Sequence, residues 1–418
     1  MTTFLQLALL LSIILLSAKL AGYLSVRLGQ PSVLGELLVG ILLGPSVIDM
    51  LHLPFIDPAL AHTIAELGEL GVLLLMFIAG LELHLDELTR NTRVAGYGGF
   101  LGVLVPTMLG WGAGRLFGMD NATAIFLGLT LGATSVSISA QTLMELKVLR
   151  SRVGLSLLGA AVFDDILVIL SLSIFLAIEA GTGSIGGVLW ILIRMIAFLS
   201  LSVAFGWWVL PWLMRRVAHL PISQGVLTLA LVVMLAYGLT AELLGGMAAI
   251  TGAFIAGLMM ARSGERERVE HGVHALAYGL FVPIFFINIG LSVNARSLQV
   301  EMLWFTLAII LTAIIGKWLG AGLGARLGGL SWRESVQLGA GMISRGEVGL
   351  IVAGVGINEG LVSLEEFSAI VGMVLITTLV TPPILRALFV QKKQKTQKAL
   401  PEAKQVTAPA DPHNEEAT

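Results

Sequence analysis

Cysteine is absent from the 418 residues, which excludes disulfides and thiol chemistry and leaves no reading of the redox compartment. Charge is scarce: Asp, Glu, Lys and Arg make up 12% of the chain against 56% hydrophobic residues. That ratio leaves too little polar surface to coat a water-soluble globule of this length, so a bilayer must act as solvent. The net charge of -2 gives no argument for nucleic acid as a partner. No GxxxxGK[ST] loop or soluble nucleotide-binding domain occurs, so nucleotide-driven work has no engine here. The first apolar run lacks an A-x-A-like cleavage site, is too long for the core of a signal peptide, and is followed directly by more such runs. It reads as a first membrane helix.

What is present is a succession of apolar runs long enough to cross hydrocarbon. They are continuous and do not alternate, which implies helices and not a barrel. Cutting at charge, Pro and Gly clusters predicts thirteen spans, near 4–26, 31–49, 63–83, 94–116, 121–145, 153–179, 186–211, 223–243, 246–262, 272–293, 302–325, 333–357 and 364–389. The loops alternate in charge. One set holds Arg27; Arg90 and Arg93; Lys147, Arg150 and Arg152; Arg215 and Arg216; Arg262, Arg266 and Arg268; Arg326 and Arg333. The other set holds only Arg115 and Arg296. Positive residues stay on the cytoplasmic side, so the N-terminus is expected outside and the C-terminus inside. After Val390 apolar periodicity is lost, and 391–418 is expected to be a disordered cytoplasmic tail appended to a membrane domain over 1–390.

Ionisable residues inside the spans carry the functional reading, because each costs at least about 2.5–3.5 kcal/mol near the bilayer centre. Span 6 places Asp164 and Asp165 near its midpoint in GLSLLGAAVFDDILVILSLSIFLAI. Neighbouring helix positions point about 100° apart, so the two carboxylates have different roles. Span 11 carries Lys317 in LTAIIGKWLGAGLG, and a buried ammonium requires an anion. An inert salt-bridge network is the structural alternative. Against it, buried ion pairs seldom add net stability, and two acids opposite one lysine leave a carboxylate unmatched. Such a group can hold either a proton or a metal cation.

Two spans carry polar interruptions. Span 5 has Thr134, Ser135, Ser137 and Ser139 at mid-membrane, and span 12 has Ser344, Arg345, Gly346 and Glu347. Both read as discontinuous helices lining a polar cavity, although Ser and Thr could also bond back to carbonyls and merely bend span 5. Arg345 and Glu347, two positions apart, do not face each other, and each needs a partner elsewhere. The two breaks lie seven spans apart, an odd offset, so spans 1–6 and 8–13 can form inverted six-helix repeats with span 7 as linker. The glycines of GKWLGAGLGARLGG suit helix packing. Lys19, Glu36 and Arg194 suit structural or snorkelling roles. His271 and His274 form either a solvated rim or a pH-responsive group.

Five stretches, GQPSVLGELLVGILLGPS, ELGVLLLMFIAGLEL, VFDD, VPIFFINIGL and SRGEVGLIVA, together resemble the monovalent cation:proton antiporter-2 family over nearly the whole chain up to about Val390. The resemblance implies the NhaA-type fold: an all-α membrane protein with a dimerisation domain (helices 1–3 and 8–10), a mobile core (4–6 and 11–13) and crossed broken helices 5 and 12. It implies a homodimer in a bacterial inner membrane that exchanges Na⁺ or Li⁺ for H⁺, with no cofactor, nucleotide or nucleic acid. Asp165 resembles the carboxylate that carries the cation and the proton, and Asp164 resembles the partner of Lys317. Thr134 and Ser135 occupy the crossing, with Arg345 and Glu347 opposite. The Asp-Asp pair with a Gly-Lys resembles the electrogenic sodium/proton members, whereas potassium-efflux relatives carry Gln-Asp and a nucleotide-binding domain. K⁺/H⁺ exchange, a passive cation channel, a bile-acid-type sodium symporter and a non-transporting sensor are the alternatives.

Overall fold

The computed structural model describes residues 2–83, 91–179, 185–292, 296 and 302–398. Among these residues regular structure is entirely helical, and ten helices are long and apolar enough to cross a membrane. The helices are α1 (Thr3–Arg27), α2 (Ser32–Leu43), α3 (Ala59–Leu81), α4 (Thr92–Leu116), α5a (Asn121–Gly132), α5b (Val136–Glu145), α6 (Arg152–Glu179) and α7 (Ile185–Trp208), with a short helix over Leu210–Ala218 after it. There follow α8 (Gly225–Gly245), α9 (Ala249–Met260), α10 (Arg266–Leu291), α11 (Leu303–Leu327), α12a (Trp332–Gly341), α12b (Glu347–Asn358) and α13 (Leu364–Lys398). Of the tail expected over 391–418, residues 399–418 lie outside the described residues.

Several boundaries differ from those read off hydropathy. The expected span 31–49 is helical only over Ser32–Leu43, because Gly44 takes an extended conformation and Pro45 follows it. The run 246–262 yields only Ala249–Met260, since Gly246 at φ +63° terminates the preceding helix. α10 begins at Arg266, ahead of the apolar run, and contains a π-turn over Ala277–Phe281 just before Pro283. A proline has no N–H to offer the preceding turn, and a wider turn absorbs that loss.

Glycines set how closely the helices approach. α9 is wedged between α3 and α8: a Cβ on Gly257 would sit 2.0 Å from the Phe77 carbonyl oxygen, and one on Gly252 would sit 2.3 Å from that of Tyr237. α11 lies along α4 in the same way, with Gly320 against the Leu101 carbonyl and Gly324 against that of Tyr97. Small residues permit this backbone contact in a membrane, where dispersion and not the hydrophobic effect joins helices. α4 also packs on α5a and α6, while α10 packs on α2 and α3. Trp207, Trp208, Trp212, Trp304 and Trp332 stay exposed. Arg262 sits over the Trp207 ring at 3.4 Å and Arg216 over Trp212 at 5.2 Å, the pairing of aromatic ring and cation typical of a membrane interface.

Substitution of Gly257 by Val forces α9 off α3. A loss of about 1–3 kcal/mol or more is expected from overpacking. A thermal melt in detergent checks this through a lowered midpoint, with Gly264→Val, whose added Cβ meets nothing, as the control.

Candidate ion site at the crossing of two broken helices

Each broken helix has its own cause. α5a opens on Asp120, whose carboxylate accepts from the Ala122 and Thr123 amides, and ends at Gly132, after which Ala133 turns extended. α5b resumes at Val136. α12a opens on a capping box between Ser331 and Glu334 and ends at Gly341, and α12b resumes at Glu347. The intervening strands of chain cross. The Ser135 amide donates to the Ser344 carbonyl at 2.9 Å, and the Ser344 hydroxyl donates back to the Ser135 carbonyl at 2.6 Å. Ser139 donates to the Gly341 carbonyl at 2.5 Å. Only glycine fits at 346, where an added Cβ would lie 2.6 Å from Ser135 Oγ. The serines of span 5 therefore bind the other break and do not bend an ordinary helix.

Two fully buried cations meet carbonyls that the breaks set free. Lys317 Nζ donates to the Gly132 carbonyl and to Asp164 Oδ1, both at 2.6 Å. Arg345 donates through Nη2 to the Leu131 carbonyl at 2.6 Å and the Ala313 carbonyl at 3.3 Å, and through Nη1 to that of Met342 at 3.2 Å. Both cations thus lie at the negative ends of the half-helix dipoles of α5a and α12a. The Arg345 carbonyl in turn accepts from the Thr378 hydroxyl of α13.

The two acids separate as their helix positions require. Asp164 is fully buried and paired with Lys317, and its Oδ2 makes no hydrogen bond. It also lies in the field of Arg345. Asp165, 6% exposed, points instead to a small cavity lined by α3, α5b, α6 and α9, where the Thr251 hydroxyl donates to its Oδ2 at 3.1 Å. The cavity, about 10 Å³, has room for roughly one water-sized sphere. Thr134 Oγ1 is buried without a hydrogen-bond partner.

Arg345 joins Lys317, so two cations stand with two acids. The residues are 28 positions apart in sequence, and only the crossing brings them to one place. The side chain of Glu347 lies outside the described residues. Thr251 is a lone hydroxyl in an apolar run and Thr378 belongs to a Thr377–Thr378 pair in another, patterns too common to mark a site by sequence. Lys19 donates to the Tyr278 carbonyl, and Arg194 donates to those of Leu243 and Leu244. His274 stacks on Tyr278 at 5.2 Å and lies 4.0 Å from Glu82. Burial pushes the Glu82 carboxyl up, with Arg150 pulling the other way.

Residues 13–391 match the family described as sodium/hydrogen exchanger, transmembrane. The chain belongs to that family. Among curated relatives it is 42% identical to the Na⁺/H⁺-K⁺ antiporter GerN of Bacillus cereus, over 93% of this chain and 97% of GerN. It is 37% identical to a Na⁺/H⁺ antiporter of Enterococcus hirae, over 90% and 96% of the two chains. High-affinity Na⁺/H⁺ antiporter NhaS3 of Synechocystis is 33% identical over 94% and 92%. Among solved structures, the sodium proton antiporter MjNhaP1 of Methanocaldococcus jannaschii superposes with a TM-score of 0.68 at 16% identity, over 94% of this chain and 98% of that one. That likeness is one of fold. As a family member with ten helices long and apolar enough to cross a membrane among its described residues, the chain is an integral membrane protein.

Replacing Lys317 by Met strands the Asp164 carboxylate in an apolar interior and is expected to cost roughly 3–5 kcal/mol. The double variant Lys317→Met with Asp164→Asn removes both charges and should regain much of that loss. Thermal midpoints of the parent, Lys317→Met, Asp164→Asn and the double variant, compared in a double-mutant cycle, check the coupling.

Proposed function

We propose that this chain exchanges a monovalent cation, Na⁺ by preference, for protons across the plasma membrane of a bacterium, with Asp165 holding the two cargoes in turn. The observation that carries the reading is the division of labour between the adjacent acids. Asp164 is occupied by Lys317, whereas Asp165 faces a cavity large enough for one small ion. Two cations and two carboxylates balance when Asp165 is ionised, and either Na⁺ or H⁺ on Asp165 adds the same single charge. The two cargoes therefore compete for one group, which is the minimum an exchanger needs. The named activities of GerN, NhaS3 and the Enterococcus protein agree with it.

In the mechanism that follows, a dehydrated Na⁺ binds Asp165 from one side, α4–α6 and α11–α13 move as a core against α1–α3 and α8–α10, and protons displace the ion on the other side. The close pairings of α4 with α11 and of α9 with α3 support that grouping. Thirteen spans in two inverted repeats, an outside N-terminus, a cytoplasmic C-terminus and a homodimer complete the reading. Lys317 releases Asp164 when the cation arrives and carries a second proton, which makes the exchange electrogenic. Thr134, with its unpaired hydroxyl at the break, is a further oxygen for the ion. Li⁺ follows Na⁺ as a small hard cation. The name of GerN, which includes K⁺, favours K⁺ as the second cargo to test.

In proteoliposomes with a trapped pH dye, Asp165→Asn is expected to abolish cation-driven proton release for Na⁺, Li⁺ and K⁺ alike; persistent Na⁺-driven dequenching rules out the assignment. Lys317→Gln is expected to retain exchange with weaker dependence on membrane potential, read with valinomycin-clamped vesicles. An unchanged voltage response counts against the second proton.

A further inference from the structure

The cavity beside Asp165 has two walls. Val136, Ala161 and Val162 belong to α5b and α6, while Met76, Phe254 and Thr251 belong to α3 and α9. Apart from Asp165, Thr251 is the one polar side chain among the residues that line it. It is 3% exposed and donates to Asp165 Oδ2 at 3.1 Å. Its helix is held hard against α3 and α8 by Gly257 and Gly252, so the hydroxyl is carried on a fixed backbone.

We propose that Thr251 is a ligand of the transported cation, contributed from α9 to the site on α6. The proposal rests on the assignment of Asp165 as the ion carboxylate. A threonine hydroxyl has one proton to donate and lone pairs to accept with. Toward the carboxylate it donates, as seen here. When a cation sits between the two, the same hydroxyl rotates its proton away and offers a lone pair, supplying an oxygen of the kind that hard monovalent cations prefer. The apolar remainder of the cavity excludes the waters that would otherwise coordinate the ion, so each protein oxygen counts. Because α9 packs chiefly on α3 and α8, movement of α6 along α9 removes this ligand. Cation affinity then differs between the two sides of the transport cycle.

The test measures the Na⁺ concentration for half-maximal exchange and the maximal rate in proteoliposomes for Thr251→Val, Thr251→Ala and Thr251→Ser. Loss of one ligand oxygen should raise the half-saturating Na⁺ about tenfold in the Val and Ala variants, equivalent to about 1.4 kcal/mol. The maximal rate should change less than about twofold, as for an interaction lost from bound substrate. Thr251→Ser keeps the oxygen and should stay near the parent value. A packing role gives the opposite order, since Val preserves the shape and Ser removes a methyl. Unchanged half-saturation in Val and Ala, or a defect in Ser as large as in Val, overturns the proposal. If Val does not fold, as judged by its thermal melt, the Ala and Ser pair decides. Asp165→Asn serves as the separate control: exchange that survives it overturns the reading of Asp165, whereas loss of exchange there with Thr251→Val unaffected overturns only the role of Thr251.

Discussion

Two helices stop partway through the membrane-spanning region, and the carbonyls at their ends have no water to turn to. Leaving a backbone oxygen unpaired in such a place costs several kcal/mol, so the sequence must supply donors on the spot. Lys317 and Arg345 do so for Gly132, Leu131 and Met342, and Ser139 does so for Gly341. The two cations then need anions, and that demand fixes where Asp164 sits. The charge cluster is therefore a consequence of breaking α5 and α12, and the breaks in turn put backbone oxygens where a continuous helix would present only side chains.

The cluster also explains why adjacent acids act differently. A helix turns them about 100° apart, so one faces inward to Lys317 and the other faces the cavity between α6 and α9. The first is tied to Lys317 and the second to a small cavity. The space is bounded on one side by α3 and α9, joined backbone to backbone at Gly257, and on the other by α5b and α6. Backbone contacts of this kind resist shear, and the cavity between them is lined chiefly by smooth apolar side chains.

Much of this was legible in the sequence because a membrane imposes simple rules. Apolar runs mark helices, buried charge is too costly to be incidental, and a polar cluster inside a greasy run marks a break; Asp164, Asp165, Lys317 and the Ser-rich stretch of span 5 stand out on those grounds alone. Boundaries were less legible. Gly44 and Pro45 shorten α2, and the polar turn Arg266–Glu270 extends α10 beyond its apolar run, because local backbone geometry and not hydropathy ends a helix.

What the sequence determined by itself was the helical class, the residues bearing charge within it and the inequality of the two acids, since these depend on composition and on the 3.6-residue period. What only the tertiary structure decided was partnership. That Arg345 joins Lys317 beside Asp164, that Ser344 locks to Ser135, and that Thr251 reaches Asp165 from a helix 86 positions away all depend on which helices lie side by side. Packing of backbone against backbone at glycines sets those neighbours, and a single strand of letters carries no measure of that distance.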